Sequence, residues 1–221
     1  MIAENLHIVQ STLAKGVKLV AVSKYHPVEA LQAAYDAGQR VFGESHVQEL
    51  VVKEQALPKD IEWHFIGHLQ TNKVKYMAQF ISLIHAIDSL KLLREVDRQA
   101  ARHDRVIRCL LQVHVAREET KFGFSPNELH TFLQGDDWRQ LRNVQICGLM
   151  CMASNTDDEE QIASEFRLVR DLFTELKAEY FSNDPDFCEL SMGMSGDYQI
   201  AQRCGSTMIR VGSMIFGERQ Y

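Results

Sequence analysis

Lys24 ends a short apolar run, Val17-Lys18-Leu19-Val20-Ala21-Val22-Ser23-Lys24, which has the pattern of a buried strand finishing in a lone amine. Barrels and open α/β sheets keep their chemistry at the carboxyl ends of their strands. Desolvation at such a place lowers an amine's pKa and lets it condense with an aldehyde to form an imine. The other reading of Lys24 is an amine that marks the strand end and snorkels into solvent. Arg210 is the second charged strand residue, in Met208-Ile209-Arg210-Val211-Gly212-Ser213. Side chains alternate along a strand, so Arg210 shares a face with Met208 and Gly212, and Val20 and Val22 share one with Lys24. An inward arginine needs an acceptor, either a carboxylate or a ligand atom, because an unpaired buried guanidinium is costly. Two small-residue loops, Ser195-Gly196 and Gly212-Ser213, complete the set. Glycine lets backbone approach an anion, serine adds a donor, and phosphates in barrels are commonly held after strands seven and eight. Gly and Ser are also ordinary turn residues, so each loop taken alone says little.

The elements that position these residues repeat along the chain. β-rich runs fall at 17–24, 40–44, 62–67, 83–88, 108–115, 145–152, 187–192 and 207–212, with amphipathic helical stretches at 27–37, 72–79, 90–103, 126–134, 157–180 and 197–204. In the longest, Ile162, Phe166, Val169, Leu172, Phe173 and Leu176 recur at helical spacing. Strand–helix alternation implies a parallel sheet with right-handed crossovers. Eight units over 221 residues predict one α/β domain spanning 1–221, a (β/α)8 TIM barrel, a fold usually of about 250 residues. A doubly wound open sheet is the alternative. It more often shows fewer strands and a Gly-rich first turn, and no G-x-G-x-x-G follows the first run here.

Composition narrows the function classes. With 24 Lys and Arg against 30 Asp and Glu, the net charge is −6, which argues against broad nucleic-acid or anionic-membrane binding. No apolar run reaches membrane-spanning length, and the first residues do not read as a signal peptide. Five scattered cysteines form no C-x-x-C pair. Cys109, Cys147, Cys151 and Cys188 lie in or beside apolar runs, as small buried hydrophobes do. A reduced, cytoplasmic protein is expected. His64 and His68 are four apart, but the residues between them read as strand and turn, so neither a shared helical face nor a metal site is expected, and each reads as a satisfied core or loop histidine.

The ordered motifs resemble the YggS/PROSC group of pyridoxal 5′-phosphate homeostasis proteins, which look like the barrel domain of bacterial alanine racemase standing alone. They are Ala21-Val22-Ser23-Lys24, Phe42-Gly43-Glu44, Val47-Gln48-Glu49, Trp63-His64-Phe65-Ile66-Gly67, Leu69-Gln70-Thr71-Asn72-Lys73, Lys121-Phe122-Gly123, Gly148-Leu149-Met150, Leu190-Ser191-Met192-Gly193-Met194-Ser195, Gly205 through Ser213, and Ile215-Phe216-Gly217. The resemblance implies that Lys24 carries pyridoxal 5′-phosphate (PLP) as a Schiff base. It implies that Ser195, Gly212 and Ser213 take the phosphate, that Arg210 approaches the pyridine nitrogen, and that Met150 and His64 wall the ring. Ser45 stands where the family usually has asparagine, and a shorter hydroxyl reaches less far. Ser213 replaces the commoner threonine and keeps the hydroxyl.

A ring nitrogen facing Arg210 stays unprotonated, because guanidinium only donates, and the cofactor's electron sink is weakened. Racemisation needs acid–base groups on both faces of the α-carbon. In the racemase resemblance the second face is served by a tyrosine of another domain, for which a chain ending at Tyr221 has no room. The expectation is a monomer that binds and releases PLP reversibly, with apo PLP-dependent enzymes as recipients, and not an efficient catalyst. Rival readings are a weak amino-acid racemase and a Schiff-base aldolase acting on a phosphorylated substrate.

Overall fold

A computed structural model describes residues 1–117 and 122–218; Lys121 and Tyr221 lie outside the described residues. Eight parallel strands close into a barrel in sequence order: β1 Lys18–Val22, β2 Val41–Glu44, β3 Glu62–Phe65, β4 Leu83–Ile87, β5 Ile107–Val113, β6 Val144–Cys151, β7 Glu189–Ser191 and β8 Met208–Val211. The ring is sealed by β8 pairing with β1, Val20 opposite Arg210 and Ala21 opposite Val211. The expected (β/α)8 barrel is therefore the observed fold.

Helices α1 Ile2–Ser11, α2 Val28–Asp36, α3 Val47–Ala56, α4 Leu90–Ala101, α5 Pro126–Gln134, α6 Glu159–Tyr180, α7 Tyr198–Arg203 and α8 Ser213–Phe216 accompany the strands. Local chemistry sets several boundaries. The Ser125 hydroxyl accepts the Glu128 N–H while the Glu128 carboxylate accepts the Ser125 N–H, with Pro126 at the first turn of α5. Asp158 accepts the N–H groups of Glu160 and Gln161 and starts α6. The stretch expected as helix over 72–79 is a 3-10 turn, Thr71–Tyr76. The pattern reading passed over α3, because its buried positions include a lysine, Lys53, beside Val47 and Leu50.

Outward-facing strand residues and the helices' apolar faces make the main core, with Phe42, Phe65, Leu31, Leu50, Val96 and Phe166 all buried. Inside the barrel the alternate residues stack in layers. Lys18 and Arg108 meet Glu189 at the amino end of the strands, at 3.3 and 3.5 Å. Above them Val20, Leu110, Met150 and Met208 belong to an apolar cluster inside the barrel, and the pocket lies at its carboxyl end. Gly148 has φ 147°, and a Cβ there would sit 1.8 Å from the Glu189 carbonyl oxygen. Only glycine fits at this point, where the β5–β6 register shifts.

None of the five cysteines is in a disulfide, and four are buried. Cys188 corrects its expectation: it is exposed, just ahead of β7. No helix among the described residues is long and apolar enough to cross a membrane.

Candidate functional site

At the carboxyl ends of the strands lies a cavity of about 270 Å³, lined by Lys24, Arg210, Ser45, Ser195, Gly196, Gly212 and Ser213, with Val22, Ile66, Met152 and Met194 as its apolar wall. The size is near the lower end for small-ligand sites, about 300 Å³ upward. Strand β1 ends at Val22, the Ser23 N–H still bonds to the Gly43 carbonyl at 3.0 Å, and Lys24 opens the loop beyond. Its successor Tyr25 has φ 66°, a left-handed conformation uncommon for a residue with a large side chain. The half-buried Lys24 and the buried Arg210 put two cations on a lining with no carboxylate among its described residues. In a chain of net charge −6, this is a locally positive pocket.

Arg210 is held by neutral groups. Its Nη1 donates to the Ser191 carbonyl at 3.0 Å and to the Ser191 hydroxyl at 2.7 Å, and its Nη2 donates to the Cys151 carbonyl at 3.0 Å. The chain of contacts continues inward, from Ser191 Oγ to His85 Nδ1 at 3.0 Å and from His85 Nε2 to His64 Nδ1 at 3.0 Å. Burial holds both histidines neutral, His64 lowered to about 3 and His85 well below its ordinary value. One assignment satisfies each contact: Ser191 accepts from Arg210 and donates to His85 Nδ1, and the His85 Nε2–H donates to His64 Nδ1. Burial also lowers the arginine's pKa, yet guanidinium remains charged. Its hydrogen bonds are made to neutral acceptors, and the carboxylate that favours its charge, Asp197, acts on it only through space.

The loops after β7 and β8 are tied together: the Gly212 N–H donates to Ser195 Oγ at 3.2 Å. That bond uses a lone pair of the hydroxyl and leaves its proton to donate elsewhere. A Cβ at Gly212 would lie 2.9 Å from the Val22 carbonyl oxygen, whereas one at Gly196 would meet open space. Gly212 thus lets β8 close against β1 while its backbone faces the cavity. Ser213 opens α8, where the first N–H groups have no partner within the helix. Ser45 reaches the lining from the end of β2, its backbone packed so tightly on Gly67 that a Cβ there would meet Ser45 oxygen at 2.6 Å.

The structure brings Lys24, Ser45, Ser195, Arg210, Gly212 and Ser213 to one cavity. Met150 and His64 require correction as pocket wall. Both are buried one layer below, Met150 in the apolar barrel interior and His64 in the histidine chain. The residues two positions further along, Met152 and Ile66, form the wall instead. Both keep the inward face that alternation assigns and lie one layer nearer the mouth. Of the two valines that share the face of Lys24, Val22 lines the cavity and Val20 is buried in the apolar barrel interior.

A sequence profile of the alanine racemase N-terminal domain matches residues 1–220. The pyridoxal phosphate homeostasis protein of Aquifex aeolicus is 40% identical over 205 residues, 92% of this chain and 88% of that one. The solved structure of PipY from Synechococcus elongatus with PLP bound superposes with a TM-score of 0.89 at 38% identity, covering 98% of this chain and 100% of that one. Alanine racemase from Bartonella henselae, solved with covalently bound pyridoxal phosphate, shares the fold at a TM-score of 0.72 and 16% identity, covering 99% of this chain and 58% of that one.

Proposed function

We propose that this chain, which belongs to the alanine racemase N-terminal domain family, holds PLP reversibly on Lys24 and serves PLP homeostasis. The observation that carries the reading is the cavity itself, which gathers two cations, three serines and glycine backbone, with no carboxylate among the described residues that line it. That donor set fits a phosphorylated aldehyde, and Gly196, where an added Cβ would meet open space, leaves its backbone uncovered beside Ser195. The printed name of the Aquifex relative and the PLP held by the cyanobacterial neighbour support it.

When bound, the cofactor supplies an aldehyde carbon that an amine can add to with loss of water, a condensation that water reverses. Lys24 contributes the amine. Ser195 and Ser213 would bind the phosphate through their hydroxyls and the first N–H groups of α8, with Gly212 holding Ser195 in place. Ser45 would supply a hydroxyl at the rim and Ile66 and Met152 an apolar wall for the ring, with the buried His64 and Met150 beneath that wall. Arg210 only donates, so a pyridine nitrogen beside it stays unprotonated and withdraws electrons weakly. This suits a holder of the cofactor better than a catalyst. We place the function on one domain, residues 1–221, acting as a monomer in the reducing cytoplasm, where five cysteines outside disulfides are expected. Its recipients are apo PLP-dependent enzymes.

The test is the visible spectrum of the protein before and after borohydride, with the modified peptide identified. Wild type should be yellow and fixed at Lys24, and Lys24→Ala colourless. A visible band that survives in Lys24→Ala refutes the reading. Sustained L- to D-alanine turnover by pure protein would replace it with a racemase. A protein that stays colourless with PLP would favour the aldolase.

A further inference from the structure

The two neighbours of Lys24 are gripped by one buried cluster of charges. Lys53, from α3, donates through Nζ to the Ser23 carbonyl at 2.7 Å, to Glu44 Oε1 at 2.7 Å and to Glu49 Oε1 at 2.6 Å. The Ser23 hydroxyl donates to the same Glu44 oxygen at 2.6 Å. On the other side of Lys24, the Tyr25 N–H donates to Glu49 Oε1 at 2.6 Å. Ser23 is thus held by its carbonyl and its hydroxyl, and Tyr25 by its N–H in the left-handed conformation at φ 66°. The residue between these two anchors is Lys24, which lines the cavity.

Nothing about core packing calls for such a cluster. Lys53 is 3% exposed and Glu44 is fully buried, and apolar residues in place of a buried ion pair are often neutral or stabilising. Glu44 Oε2 has no hydrogen-bond partner among the described residues. Burial pushes that carboxyl up to about 7, against the pull of Lys53 and Ser23. Strained backbone and desolvated charge of this kind persist where the surrounding structure enforces them, and they gather at working sites.

We propose that Lys53 is a positioning residue which, through Ser23, Glu44 and Glu49, fixes the backbone on both sides of Lys24 so that its amine meets a bound aldehyde in attacking geometry. The inference rests on the reading of Lys24 above and deepens it. In the step that it serves, the amine nitrogen adds to the aldehyde carbon, the two amine protons leave with the carbonyl oxygen as water, and a C=N bond replaces the C=O bond. Lys53 touches none of these atoms. It acts through the main chain, and a small displacement of a reacting group is enough to slow such a step.

The experiment compares two ligands, PLP and pyridoxine 5′-phosphate, whose alcohol cannot condense with an amine. The variants are Lys53→Met with Glu44→Gln, which removes the cation without stranding a buried carboxylate, and Glu49→Leu, which frees the Tyr25 N–H at the partly exposed edge of the cluster. In both, borohydride trapping of PLP on Lys24 should fall about tenfold or more, while pyridoxine 5′-phosphate affinity stays within about twofold, because the phosphate loops are untouched. A general loss of structure would weaken both ligands together and would overturn the proposal, as would unchanged trapping in the folded variants. Should the double variant fail to fold, Glu49→Leu alone decides. If wild type itself yields no adduct on Lys24, the cofactor reading has failed instead.

Discussion

Replacing Ser191 by alanine probes whether Arg210 depends on the polar chain inside the barrel. The hydroxyl meets Arg210 Nη1 at 2.7 Å and His85 Nδ1 at 3.0 Å, and all three residues are buried. A hydrogen bond to a charged group is worth about 1.5–3 kcal/mol. The lower end applies, because Nη1 keeps the Ser191 carbonyl at 3.0 Å. Leaving the His85 ring nitrogen unpaired adds about 1–3 kcal/mol. The total is about 3 kcal/mol. With a urea slope of about 3 kcal/mol/M for a chain of this size, the unfolding midpoint of the apo protein should drop by about 1 M at unchanged slope. Ser195→Ala is the control. Its hydroxyl is half-buried at the cavity rim, so stability should change by about 0.5 kcal/mol or less, while PLP binding weakens. A loss below about 1 kcal/mol in Ser191→Ala would refute the reasoning, because it would mean that the chain neither orders Arg210 nor satisfies His85.

The described pKa shifts give a pH dependence. His64 and His85 stay neutral when folded but take up protons below about 6.5 when unfolded, so each removes stability as pH falls, about 1.4 kcal/mol per pH unit. Glu44 acts with the opposite sign: folded, it takes up its proton near pH 7, and unfolded only near 4.5. Two histidines less one glutamate leave a slope of about 1.4 kcal/mol per pH unit between 4.5 and 6.5, which Glu44→Gln should roughly double in urea titrations across that range. Gly148→Ala would press a methyl group against the Glu189 carbonyl and should cost more than about 4 kcal/mol, seen as loss of soluble folded protein. Met150→Ala should cost about 2–5 kcal/mol in thermal or urea unfolding. Met152→Ala should cost far less and should instead weaken PLP affinity in spectroscopic titration.

Much of the architecture was legible because its causes are local. Period-2 and period-3.6 apolar patterns located all eight strands and five of the α-helices, the stretch over 72–79 being a 3-10 turn, and strict alternation implied a parallel barrel. Ends drifted where the ladder outlasts the regular strand, as at Ser23 and Ile66, whose N–H groups still bond to the Gly43 and Glu44 carbonyls. Helix α3 escaped the pattern because its inward face carries Lys53, a residue whose burial makes sense only once Ser23, Glu44 and Glu49 surround it.

The sequence by itself determined which residues face inward, since alternation along a strand needs no partner, and it placed Lys24, Arg210 and the two Gly–Ser loops at one end of the fold. Only the tertiary structure decided depth. Strand tilt and stagger in a closed barrel set which inward residue meets the cavity and which lies a layer below, so Met152 and Ile66 took the places expected of Met150 and His64. The same closure joined Arg210 to Ser191, His85 and His64 across four strands. Their contacts span up to 106 positions of chain, a separation that no short-range pattern records.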